Sequence, residues 1–145
     1  RNNVSFGQKT IIAKVILSED LNPINDVKHS ALSVGLTRYS VVVNEIMYAP
    51  HTGEPEWIEI FNSTADAIDI KNWKLGNRSS ASKYLITSGS YLLPANGYCV
   101  ITKDSSLFHM VYKNFVYAIL QSSSLPASLF NNSGDAVVLY DARGG

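Results

Sequence analysis

The sequence predicts an all-β fold of the sandwich or barrel type. Two observations lead to this prediction: short runs of β-branched and aromatic residues recur along the chain, and turn-forming residues separate them about every 8–12 positions. Hydrophobic residues make up 46% of the chain and charged residues 17%, which is typical of a globular protein. No run of about 18 apolar residues occurs, so no membrane span is expected.

The first 38 residues are predicted to form a β-hairpin. Residues 9–17 and 27–36 are rich in β-branched and apolar side chains, and turn formers fill residues 18–26 between them. An isolated hairpin is marginally stable in water, so this one must pack against something else. It is expected to be the remnant of an upstream domain or an extension of the sandwich that follows, within a longer protein.

A second hairpin is predicted at residues 41–62, with strands at 41–48 and 56–62 around a turn that contains proline and glycine. Apolar and polar residues alternate in its second strand, which is the period of a half-buried strand. Residues 68–75 predict one further strand, and Trp73 is expected to anchor the core from it. The core residues expected in this part of the chain are Ile46, Trp57, Ile58, Ile60 and Trp73.

The rest of the chain alternates strands with turns and one helix. Strands are predicted at residues 83–93 (two short pieces), 98–103 and 136–140. Residues 94–97 are a turn signature, Pro-Ala-Asn-Gly. Residues 104–113 predict a short helix that begins at an Asp104 N-cap. Residues 116–128 show no period and are expected to form a loop.

Five short blocks resemble, in order, the lamin-tail domain: NEIMY at 44–48, EWIEIFN at 56–62, IDIKNWKL at 68–75, LPANGYCV at 93–100 and SGDAVVLYD at 133–141. The resemblance implies an immunoglobulin-like β-sandwich over residues 39–145. The family usually closes its sheet with one more strand, so this domain is expected to lack its last strand. The open edge is then expected to pair with the hairpin or with a second copy of the chain, as an edge-strand dimer.

The turn DLNPIND at residues 20–26 carries a second resemblance. Through it, residues 1–36 resemble the end of an immunoglobulin-like adhesion-type domain, a kind of domain that occurs in tandem in large exported bacterial proteins. Together the two resemblances imply a non-catalytic interaction or accessory module of an exported or surface-associated protein, located outside the cell or on its surface. Its implied partners are neighbouring domains of the same polypeptide and a protein or cell-surface polymer. Two alternatives stay open: a nucleic-acid or chromatin-type binding module as in nuclear lamins, and the accessory domain of a secreted hydrolase whose catalytic domain lies outside this chain.

Charge argues against the nucleic-acid alternative. The chain carries twelve basic and twelve acidic residues, and residues 41–145 carry seven basic and nine acidic residues. A protein that binds nucleic acid through its phosphates usually presents a strongly basic surface. The lamin-tail part is slightly acidic instead.

One group of side chains could form a cation site or an acid–base pair: Glu45, Glu56 and Glu59 with Asn44 and Asn62. Calcium sites usually take six to eight oxygens from an Asp-rich loop with glycine, whereas these residues lie on predicted strands. They are therefore expected to make strand-end hydrogen bonds and cross-strand polar pairs. No residue is assigned a catalytic, metal-binding or cofactor-binding role, and no cofactor is expected.

Cys99 is the single cysteine, so no disulfide forms within the chain, and its apolar surroundings in the sequence predict a buried side chain. The three histidines lack the spacing of a zinc site. They are His29, His51 and His109. Four glycosylation sequons, at Asn3, Asn62, Asn77 and Asn131, matter only in a eukaryotic secretory host.

Overall fold

The computed structural model describes residues 7–19, 22, 24–77, 81–130, 134 and 136–144. The chain divides into two compact units, Arg1–Arg38 and Tyr39–Gly145. Within the described residues, no helix has the length and apolar character needed to cross a bilayer.

The first unit contains the predicted hairpin, which the structure confirms. Strands β1 (Gly7–Lys14) and β2 (Val27–Val34) pair antiparallel, and the amide of Val15 donates to the carbonyl of Asp26 at 3.0 Å beyond the last strand pair. Neighbouring residues of a strand point to opposite faces, yet Ile11 and Ile12 are 52% and 61% exposed. Both faces of the hairpin therefore present apolar surface.

The second unit contains nine strands and one helix among its described residues. They are β3 (Val41–Met47), β4 (Trp57–Asn62), β5 (Ile68–Asp69), β6 (Lys74–Asn77), β7 (Lys83–Leu85), β8 (Leu92–Leu93), β9 (Tyr98–Thr102), α1 (Ser105–Val111), β10 (Ala118–Gln121) and β11 (Val137–Tyr140). One sheet has the order β10-β9-β4-β3, a second has the order β11-β6-β7, and β5 pairs with β8 in a short ribbon. This arrangement is an immunoglobulin-like β-sandwich.

The core of the sandwich draws on both sheets. In β4 the buried residues Ile58 and Ile60 alternate with half-buried ones, as the two-residue period of a strand requires. Leu75 of β6 is also fully buried, as is Ile101 of β9. At one side of the sandwich β11 approaches β3, and at the other side Ser122 Oγ, directly after β10, donates to the carbonyl of Leu85 in β7 at 2.6 Å.

Two predictions of the sequence analysis are confirmed in detail. Helix α1 begins after Asp104, whose Oδ1 accepts a hydrogen bond from the amide of Leu107 at 2.9 Å. The predicted turn at residues 94–97 closes with a bond from Gly97 N to Pro94 O of 3.0 Å. Asn96 takes the left-handed conformation there, with φ of 52°, which asparagine tolerates better than most residues.

The prediction of a loop at residues 116–128 was wrong. Ala118–Gln121 forms β10, which pairs in parallel with β9, so that Ala118 lies opposite Cys99 and Gln121 opposite Thr102. A strand of four residues carries almost no periodic signal. Its partner lies about twenty residues earlier, so only the tertiary structure determines the pairing.

The prediction of one strand over residues 68–75 was also wrong. Asn72 has a φ of 62°, and Trp73 N donates to Ile70 O at 3.1 Å, so a turn separates β5 from β6. Trp73 is buried as expected, with 6% of its surface exposed. Ile46 was wrongly placed in the core, since it is 41% exposed. Among the described residues, β3 has a hydrogen-bonded neighbouring strand on one side only, and Ile46 lies near the end of β3.

Candidate binding groove

A groove of about 290 Å³ opens at the end of the sandwich where β4 begins and β9 ends. The loop before β4 forms one side, and the start of α1 and residues 125–130 form the others. Its lining is mainly apolar. Its apolar lining includes Trp57, Leu107, Leu125, Ala127, Leu129 and Phe130. We call this feature the groove.

Glu56 holds one wall of the groove, residues 123–130, in place. Its Oε2 accepts hydrogen bonds from the amides of Leu129 at 2.6 Å and Phe130 at 3.3 Å. Its Oε1 accepts from the hydroxyl of Ser128 at 3.1 Å. The carbonyl of Glu56 in turn accepts from Thr102 Oγ1 at 3.0 Å, which fixes the residue to β9. The Glu56 carboxylate thus attaches residues 128–130 of this wall to the sandwich.

Lys103 holds the other end of the same wall. Its ammonium donates to the carbonyl of Ser123 at 3.1 Å and to the carbonyl of Leu125. Glu56 and Lys103 therefore bind backbone groups at the two ends of residues 123–130. Bonds between a charged group and backbone groups are stronger than neutral ones, so the wall is already formed in the free chain.

Two further carboxylates line the groove, and in each of them only one oxygen accepts a hydrogen bond from the described residues. Glu54 accepts from the amide of His51 at 3.2 Å through Oε2, and Asp104 caps α1 through Oδ1. Among the described residues, nothing donates to Glu54 Oε1 or Asp104 Oδ2. These oxygens are available to a cation.

Trp57 connects the groove to a row of aromatic rings. Its ring meets Phe108 at 6.0 Å and Tyr112 at 5.9 Å between centroids, both edge to face. Its indole N–H is enclosed and finds no hydrogen-bond acceptor in the described part of the chain. Buried indole N–H groups usually have an acceptor. The row continues over Phe115, Tyr117, Tyr98 and Phe61.

The structure separates the five residues considered for a cation site. Glu45 lies opposite Glu59 on β3 and β4, and Glu59 Oε1 accepts from Asn44 Nδ2 at 2.7 Å beside a β-bulge. Glu56 turns to the groove wall, and Asn62 is fully buried. Within the described ranges, no three His, Cys, Asp or Glu side chains are grouped to hold a metal ion.

Asn62 serves the fold. Its side-chain nitrogen donates to the carbonyls of Asp66 at 2.8 Å, Leu93 at 3.1 Å and Pro94 at 2.9 Å. Its Oδ1 accepts from the amide and the hydroxyl of Thr64, at 3.0 and 2.8 Å. The side-chain amide of the sequon at Asn62 is therefore buried and hydrogen-bonded within the fold, where it stabilises the turn that follows β4. The sequons at Asn3 and Asn131 lie outside the described residues.

Cys99 is buried as predicted, with none of its surface exposed. Burial raises the pKa of its thiol to about 11, although a hydrogen bond with Tyr91 acts in the opposite direction. Burial likewise raises the pKa of Tyr91. His51 lies in the loop before β4 and His109 on α1, while His29 belongs to the hairpin unit.

Sequence reasoning did not find the groove. Residues 125–128 were part of the predicted loop, and residues 129 and 130 had no predicted element. The use of Glu56 as their anchor joins positions more than seventy residues apart. The available signal was composition: Leu125, Pro126, Leu129 and Phe130 are too apolar for a solvated loop.

The comparisons with known proteins agree with the fold. The family model of the Lamin Tail Domain matches residues 37–145. A search of curated proteins found no match. The matched family is an immunoglobulin-like domain without catalytic activity. The match covers most of the chain and the whole of its second unit, and the chain belongs to the Lamin Tail Domain family.

Proposed function

We propose that this chain is a non-catalytic interaction and accessory module of a larger exported or surface-associated protein. The observation that carries the proposal is the groove, an apolar surface whose wall is held in shape by Glu56 and Lys103. Preformed concave apolar surfaces are typical of binding sites. Glu56 and Lys103 bind backbone groups of that wall, which is a structural use.

The division of the chain supports a modular role. A hairpin unit and a sandwich unit stand in one polypeptide, and the hairpin exposes apolar residues on both faces. A two-stranded hairpin needs a packing partner for stability. A neighbouring β domain of the same protein would supply that partner, so the sandwich would be one member of a series of domains that hold or target each other.

The location is tested in the source cells with the full-length protein. Intact cells are treated with a protease that does not cross the membrane, and an antibody to residues 39–145 follows the protein in the cell and medium fractions. The proposal predicts that the protein is cleaved on intact cells or recovered from the medium. Full protection in intact cells, with loss of protection after lysis, contradicts it.

The non-catalytic role is tested on the purified chain. Fluorescence anisotropy with a labelled 30-base-pair duplex separates the proposal from a nucleic-acid-binding module, and we expect no binding at low salt because the lamin-tail part is slightly acidic. Hydrolase, nuclease and transferase assays with and without divalent metal are expected to show no turnover. Metal-dependent turnover that disappears in Glu45→Gln or Glu59→Gln would overturn this part of the proposal.

A further inference from the structure

The groove combines two kinds of surface that together indicate its occupant. Trp57, Leu107 and Leu129 offer apolar surface, and covering such surface is favourable. Glu54 and Asp104 lie on the same lining with one uncommitted oxygen each. An occupant that meets both must be apolar at one point and cationic at another.

We infer that the groove binds an extended peptide segment of a partner protein, in which a large apolar side chain stands within a few residues of a lysine or arginine. The inference rests on the proposed interaction function and names its surface and the chemistry of its partner. The apolar side chain lies against Trp57 and Leu129. The cationic group meets the carboxylates of Glu54 and Asp104.

The size of the groove favours a side chain as the anchor. Its volume of about 290 Å³ lies just below the range of sites that enclose a whole small ligand, which begins at about 300 Å³. One or two large side chains fill such a space. The rest of a peptide then remains on the surface, where it contacts the charged residues around the opening.

The charge of the lining selects for a cationic partner. Among the described residues, the groove lining contains three carboxylates, those of Glu54, Glu56 and Asp104, and one ammonium, that of Lys103. The ammonium is directed at the carbonyls of Ser123 and Leu125. Like charges in an interface are costly, so an acidic peptide or a nucleic acid is disfavoured here and a basic segment is attracted.

The anchored wall lowers the cost of binding. Residues 125–130 need no ordering when a peptide arrives, because Glu56 and Lys103 already fix their backbone. Binding to a preorganised surface loses less conformational entropy than binding to a mobile one.

A peptide selection tests the inference on the full chain. Random 12-residue peptides displayed on phage are selected against the immobilised protein, and the enriched peptides are synthesised with a fluorophore. We expect them to combine a large apolar residue with lysine or arginine. Their dissociation constants are then measured by anisotropy. A selection that yields no peptide, or only acidic ones, overturns the inference.

A blocking variant shows whether those peptides use the groove. Ala127 is exposed on the lining, so Ala127→Phe places a ring in the groove without disturbing the core. We expect the dissociation constant to rise more than about tenfold, with the melting temperature unchanged. An unchanged dissociation constant locates the peptide elsewhere and overturns the inference.

A charge variant tests the cationic contact. Glu54→Gln with Asp104→Asn removes two charges but keeps an acceptor for the amides of His51 and Leu107, and asparagine caps a helix as well as aspartate does. We expect roughly tenfold weaker binding of the selected peptides. The matched control, Glu45→Gln with Asp66→Asn, changes the net charge equally at exposed positions of the same unit that are not part of the groove lining and is expected to change binding by less than about twofold.

If the groove variant and the control variant change the dissociation constant equally, the carboxylates act only through a general electrostatic attraction. That result would contradict the contact assigned to Glu54 and Asp104. Light scattering after gel filtration tests a second copy of the chain as occupant: a dimer that Ala127→Phe dissociates would overturn the inference in favour of self-association. These results are independent of where the full-length protein is located, so a failure of the inference and a failure of the proposed function are distinguishable.

Discussion

The side-chain nitrogen of Asn62 donates a hydrogen bond to the carbonyl of Leu93 at 3.1 Å, and this bond joins the end of β4 to the end of β8. The same nitrogen reaches the carbonyls of Asp66 and Pro94, and Thr64 binds the amide oxygen. A fully buried amide with all its groups satisfied is a stabilising element, since each orphaned buried partner would cost free energy.

We predict that Asn62→Ala lowers the free energy of unfolding by about 3 kcal/mol, because it leaves buried carbonyls without a donor. Denaturant unfolding followed by tryptophan fluorescence measures the change. Asn114→Ala is the control: Asn114 is exposed, and we expect a change within about 0.5 kcal/mol. A loss below about 1 kcal/mol for Asn62→Ala would show that these bonds contribute little.

We predict that Glu56→Ala loosens the groove wall while the sandwich stays folded. The amides of Leu129 and Phe130 lose their acceptor, so their hydrogen exchange should become faster, while the amides of β4 keep their protection. Exchange is read residue by residue by NMR. Glu45→Ala, an exposed carboxylate on β3, is expected to leave all of these rates unchanged, and equal rates in both variants would contradict the anchoring role.

We predict that Trp73→Ala destabilises the chain by about 3–5 kcal/mol. Trp73 is 6% exposed, and removal of a buried indole loses its transfer free energy and leaves a cavity. Thermal and denaturant unfolding measure the change. A destabilisation below about 1 kcal/mol would mean that the surroundings of Trp73 do not constitute core.

We predict that Cys99 contributes to the alkaline limit of stability. Burial raises the thiol pKa from the ordinary value 9.0 to about 11, so the unfolded chain ionises first. The contribution is therefore complete below pH 9.0 and is lost as the pH rises through about 11. Across this pH window the free energy of unfolding should fall less steeply for Cys99→Ala than for the unmodified chain. The fall that remains in the variant is due partly to Tyr91, because burial also raises the pKa of Tyr91. An identical slope would contradict the assignment.

The features that the sequence predicted correctly are those that local chemistry determines. An N-cap such as Asp104 acts within three residues, and the turn at residues 94–97 closes on itself. The burial of Trp73 and Cys99 followed from their type and their apolar neighbours in the chain.

The features that it missed depend on distant partners. Strand β10 exists because β9 offers an edge to Ala118–Gln121, and the groove wall exists because Glu56 binds residues 128–130. Ile46 lies on the inward face beside Ile58, yet only the position of β3 in the sheet determines how much of its side chain is covered. The two-residue period of the sequence predicts which face of the sheet a residue lies on, but it does not predict which strands lie beside it.

The central claim, that this module acts by binding through its groove, is tested most directly by NMR titration of the isotope-labelled chain with a selected peptide. We predict that the largest amide shift changes occur at Leu107, Leu129 and Phe130, with the indole N–H signal of Trp57 among them, because these groups lie on or beside the groove lining. In Ala127→Phe the same peptide should leave these signals unmoved. Shift changes confined to the hairpin or to the exposed face of β3, with the groove signals unmoved in the unmodified chain, would contradict the account.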